Sequence, residues 1–129
     1  IQCVAAILGT MFANFLFGLN VIEISTNIRS GNNIYISETF ATFGLLMVIL
    51  LSRADGKNIV AFNVGIYICA ALIFTSSTSF ANPAVTISRM LTESFTGIHP
   101  STTLLFIGSQ VIGLGIAYKV YSQVFEKKS

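Results

Sequence analysis

Phe80-Ala81-Asn82-Pro83-Ala84-Val85-Thr86-Ile87-Ser88-Arg89 lies between two long apolar runs. Asn82 suits a helix N-cap, where its side-chain oxygen can accept one of the orphan amides of the first turn. Pro83 suits the first helical position, where a missing N–H costs nothing. The next polar cluster, residues 92–96, follows about ten residues later, which limits the helix to roughly 15 Å, about half a bilayer. A half-membrane helix with its amide end at the midplane is a device for handling polar solutes inside a membrane.

The surrounding composition fits that setting. The chain of 129 residues is 53% hydrophobic and only 9% charged, with a mean hydropathy of +0.79. A soluble domain carries about 25% charged residues, so the fold class expected is an all-α membrane protein in a lipid bilayer. A net charge of +2, without a basic patch interleaved with aromatics, gives no sign of nucleic acid as a partner. Cys3 and Cys69 lie in apolar runs and read as small buried residues. His99 stands alone before Pro100, so no metal site and no cofactor is expected. The serines have no base placed to activate them, which argues against an enzyme.

The runs expected to span are residues 1–22, 34–52, 58–75 and 101–122. The short linker Arg53-Ala54-Asp55-Gly56-Lys57 forces an antiparallel pair. Arg53, Lys57, Lys119, Lys127 and Lys128 then fall on one side, with Arg29 and Arg89 opposite. The positive-inside rule makes the Asp55 loop and the C-terminus cytoplasmic. This count works only if residues 76–96 dip into the membrane and return. The hydroxyl string Thr75-Ser76-Ser77-Thr78-Ser79 fits such a segment, because its side chains can satisfy local backbone groups. The chain opens at Ile1 inside an apolar run without a basic leader. It reads as one partial domain, residues 1–129, of a longer protein rather than as a signal peptide.

An internal repeat adds to this. Gln2 is followed by Ala5 and Gly9, and Gln110 by Gly113 and Ala117, at the same +3 and +7 spacing. Small residues four apart let helices approach closely in lipid. The first and last runs therefore read as equivalents in inverted repeats, an architecture common among proteins with discontinuous helices.

On these residues the chain resembles the major intrinsic protein family, the aquaporins and aquaglyceroporins. The Asn82-Pro83-Ala84 box after a Thr/Ser-rich stretch, the Glu38-Thr39-Phe40 helix opening and the glutamine-led small-residue helices carry the resemblance over essentially the whole chain. It implies an aquaporin-like inverted-repeat bundle with four spanning helices and one re-entrant half-helix in this portion, the second of two boxes, and a tetramer in the plasma (inner) membrane. A first Asn-Pro-Ala would lie in a missing N-terminal half, about 26 residues upstream of Ile1 by symmetry. The implied function is a passive channel for water or small neutral solutes such as glycerol. The alternatives are a non-conducting half-channel that needs a partner half and, less well supported, a secondary transporter.

The resemblance also implies roles. Asn82 would donate to a passing oxygen, Pro83 would shape the tight start, and Ala84 would let two boxes touch. Glu38 would accept loop amides, or would simply favour a helix start as a dipole partner. Water-selective members carry an arginine where this chain has Val85, and a histidine on the preceding helix, which is missing here. That departure favours a wider constriction. Arg89, one turn past Val85, would reach the pore or pair with Glu93 four residues on. The spelling Asn-Pro-Ala-Val-Thr-Ile resembles a bacterial subgroup, some of which are linked with neutral metalloid transport.

Overall fold

The computed structural model describes residues 1–53 and 56–125. Asp55, Lys127 and Lys128, used above for orientation, lie outside the described residues. Among the described residues five α-helices follow one another: α1 Gln2–Leu16, α2 Asn32–Ser52, α3 Lys57–Phe74, α4 Pro83–Ser88 and α5 Pro100–Val124. A 3₁₀ turn, Arg89–Leu91, extends α4. No strand occurs among the described residues.

Helices α2, α3 and α5 are each long and apolar enough to cross a membrane. Their outward faces expose large apolar side chains such as Phe62, Ile73 and Leu104. Water would make that surface costly, whereas lipid solvates it. The chain is an integral membrane protein. Cys3, on α1, and Cys69, on α3, are exposed free thiols, contrary to the buried expectation. An apolar run in a membrane protein faces lipid as readily as it faces the interior.

Polar contacts fix the directions of the three long helices. Asn63 Nδ2 donates to Ser52 Oγ at 2.8 Å and Tyr67 Oη donates to the Ala41 carbonyl at 2.8 Å, so α3 runs antiparallel to α2. Helix α5 runs parallel to α2: Tyr35 meets Phe106 edge-on, and Thr39 Oγ1 donates to the Ser109 carbonyl at 3.1 Å. The α2–α5 seam is tight at Gly113, where an added Cβ would overlap the Thr39 carbonyl oxygen. Ala117, one turn on, is fully buried. It follows that residues 75–99 leave and return at the same end of the α2–α3–α5 group.

Helix α1 differs from the expected span over residues 1–22. It ends at Leu16 after 15 residues, about 22 Å long against a hydrocarbon core of about 30 Å. The cause is local. Gly18 takes φ +69, the Gly18 amide donates to the Phe15 carbonyl, and the Leu19 amide donates to the Asn14 carbonyl. That is a Schellman termination, which reverses the chain whatever the hydropathy beyond it. Residues 17–31 then run without helix along the far end of α4: the Glu23 and Ser25 amides donate to the Leu91 and Met90 carbonyls.

Candidate functional site

Segment 75–99 carries the quoted box, and its shape is imposed by side chains from elsewhere. Thr78, Ser79 and Ala81 take φ of +61, +44 and +50. For residues with a Cβ, the left-handed region costs about 1–2 kcal/mol each. The loop is held there by its surroundings. Ser77 N–H donates to Ser37 Oγ, Ser79 N–H to Ser77 Oγ, and Thr75 Oγ1 to the Ala71 carbonyl. Glu38, fully buried, accepts the Ala81 amide at 2.6 Å on Oε1 and the Phe80 amide at 3.3 Å on Oε2. Gln110 Nε2 donates to the same Glu38 Oε1 and to Thr86 Oγ1, both at 2.8 Å. Gln110 lies ten residues, about 15 Å, into α5. The tip of the segment is therefore held level with a point about 15 Å along that helix from its start.

At the tip, Asn82 Oδ1 accepts the Ala84 amide at 2.8 Å, Pro83 opens α4, and the Asn82 carbonyl receives both Thr86 donors. Asn82 is half-buried, and its Nδ2 makes no hydrogen bond among the described residues. Ala84 is buried and Pro83 is exposed. The helical stretch is six α residues plus three in the 3₁₀ turn, ending in extended backbone at Thr92.

A cavity of about 660 Å³ lies between two helical faces. Ala6, Gly9, Thr10, Ala13 and Asn14 of α1, with Phe17 just past its end, form one wall; Val85, Ser88, Arg89 and Thr92 form the other. Of the residues singled out in the sequence, Val85, Arg89 and Gly9 meet here. Asn82, Pro83 and Ala84 lie beyond its lining. Glu38, Gln110, Gly113 and Ala117 stand behind the loop at the α2–α5 side. Gln2 and Ala5 are exposed, and Gly9 has no neighbour near its missing Cβ, so the packing expected of these three is not made within this chain.

Arg89 and Glu93 do not pair. The helix loses α geometry at Arg89, so the residue four further on is not its neighbour on a face. Glu93 instead accepts Thr26 Oγ1 and the Thr26 amide, both at 2.6 Å, and those bonds hold its carboxyl below the usual glutamate range. The Arg89 guanidinium lies 4.3 Å from the Phe80 ring centroid, and its Nη1 is buried without a hydrogen-bond partner.

Three residues with no site role expected from the sequence complete the site. Buried Arg29 donates to the carbonyls of Gly97, Ser77 and Phe95. Asn14 donates to the Leu91 and Val21 carbonyls and accepts Thr92 Oγ1, tying α1 to the outer end of the half-helix. Phe80 packs in the small core with Ile98 and Phe106. Asn14 had a signal, since an amide inside an apolar run needs a partner.

One curated relative bears on this arrangement. The chain is 40% identical over 112 residues to the "Aquaglyceroporin AqpS" of Rhizobium meliloti (strain 1021), a match covering 87% of this chain and 48% of that protein. The chain thus spans about half the length of the relative. No family model and no solved structure matches it.

Proposed function

We propose that the chain is the C-terminal portion of a major intrinsic protein, a passive channel for water and small neutral solutes such as glycerol. The observation that carries this reading is the Asn82-Pro83-Ala84 turn, presented at mid-depth by Glu38 and Gln110 at the head of a half-length helix. The similarity to an aquaglyceroporin supports it.

On this reading the cavity beside α4 is half of a pore. The cap commits Asn82 Oδ1 to its own helix, so its Nδ2 is left to donate to a passing oxygen. The half-helix points its amide end, the positive end of its peptide dipoles, at the same place, which disfavours cations. Val85 and Arg89 contribute to the wall further out, where an apolar side chain beside one guanidinium admits a solute wider than water. Residues 1–129 form one partial domain, and α1 and α5 are equivalents in inverted repeats. The upstream half brings the first box and the partner surface for Gln2, Ala5 and Gly9. The assembly is a tetramer in the plasma (inner) membrane, with its C-terminus cytoplasmic.

Stopped-flow light scattering on proteoliposomes containing the whole protein tests the proposal. Water and glycerol flux well above that of empty vesicles, without saturation and without proton leak, is the expected result. Saturating, ion-coupled flux would mark a secondary transporter instead. Flux equal to that of empty vesicles would leave a non-conducting half-channel.

A further inference from the structure

Arg29 does not line the cavity. Its guanidinium nonetheless lies over the Phe80 ring, 5.1 Å from the centroid. The guanidinium of Arg89, which does line the cavity, lies over the same ring at 4.3 Å. The ring has little freedom: Phe80 is 3% exposed, its amide is engaged by Glu38, and its centroid stands 5.1 Å from that of Phe106. Arg29 is fixed as firmly. It is 7% exposed, and its Nε, Nη1 and Nη2 donate to the Gly97, Ser77 and Phe95 carbonyls at 2.8, 3.3 and 2.6 Å. Those carbonyls come from both limbs of segment 75–99. A planar fork that holds three acceptors and also stacks on an aromatic face is a task for arginine and not for lysine.

Arg89 has none of that support. Its Nη1 has no hydrogen-bond partner, and Glu93 is taken by Thr26. The Phe80 face is what the structure offers to hold its guanidinium, by a cation–π contact. A second cation over the same ring repels the first, which favours the cavity side for Arg89.

We infer that Arg29 is a positioning residue for solute selectivity. Through Phe80 it sets where the Arg89 guanidinium stands on the cavity wall, so it governs which solutes pass without touching them. This rests on the channel reading above.

The test measures the ratio of glycerol to water permeability, in proteoliposomes, for the whole protein and for Arg29→Met, Phe80→Leu, Arg89→Val and the double variant Arg29→Met/Arg89→Val. Arg29→Met and Phe80→Leu are each expected to move the ratio by about threefold or more, the scale of one partly desolvated cation–π contact. In the Arg89→Val background, Arg29→Met is expected to add nothing. A merely structural brace would lower both fluxes together and leave the ratio alone. Should Arg29→Met fail to reach the membrane, Phe80→Leu decides, because it keeps an apolar side chain and removes only the ring. An unchanged ratio, or a shift that persists in full without Arg89, overturns the inference while leaving the channel intact. Absence of any flux in the unaltered protein overturns the channel reading, and the inference with it.

Discussion

Glu38 is the residue whose replacement should hurt most, and the cost depends on which oxygen is lost. Oε1 accepts both short bonds, from Ala81 N at 2.6 Å and Gln110 Nε2 at 2.8 Å; Oε2 accepts only Phe80 N at 3.3 Å. Hydrogen bonds to a charged group contribute about 1.5–3 kcal/mol, and stranding a buried donor costs about 1–3 kcal/mol. Glu38→Ala strands all of these donors beneath three backbone conformations that are already strained, so about 3–5 kcal/mol is expected. Glu38→Gln can keep its oxygen at the Oε1 position and turns an NH₂ toward the weakly held Phe80 amide, for about 1–2 kcal/mol. Glu38→Asp keeps the charge but withdraws it by one methylene, and should fall between the two. Denaturant-induced unfolding of the whole protein in mixed micelles gives the ranking, and stopped-flow permeability should follow it. At 1.4 kcal/mol per tenfold, the alanine variant would populate an open loop at least about a hundredfold more often. Equal stability of the alanine and glutamine variants, or wild-type flux through the alanine variant, would refute the reasoning.

Two further predictions follow from single positions. Gly113→Ala should destabilise by about 1–3 kcal/mol because its Cβ meets the Thr39 carbonyl across the α2–α5 seam, whereas Gly115→Ala, with open space around it, should not; the same unfolding titration compares them. The Glu93–Thr26 latch titrates with acid. The folded carboxyl lies below the ordinary glutamate value, so the latch is at full strength above that value and is lost as pH falls through the lowered one. The protection factor of the Thr26 amide, its exchange rate relative to the intrinsic rate at each pH, should therefore be high at pH 6 and fall only well below pH 4.5. Loss of protection already at pH 5.5 would show that Thr26 does not hold it.

The features legible in the sequence were those written in adjacent residues. Asn82 and Pro83 state their own cap and first turn, and a carboxylate at residue 38 inside an apolar helix has to find a buried donor. Features carried by long-range contacts were not legible. Glu93 goes to a threonine 67 positions away, and Asn14 to one 78 away, and no spacing rule reaches so far. The four-residue spacing misled at Arg89 because it presumes α geometry that stops there. The first run misled for another reason. Leu19, Val21 and Ile22 keep the hydropathy high after Gly18 has turned the backbone, and composition averages cannot register a left-handed residue.

The dependence of segment 75–99 on two separated helices has a consequence for biogenesis. Ser37 and Glu38 are made before the segment, but Gln110, which clamps Glu38 to Thr86, is made after it. Until residues 100–110 have been added, the segment has only the part of that support that Ser37 and Glu38 supply. Its bonds to Gln110 close only once α5 has been made. The polar cluster behind the loop is thus completed late in synthesis, and a chain that stops short of Gln110 would lack the clamp between Glu38 and Thr86.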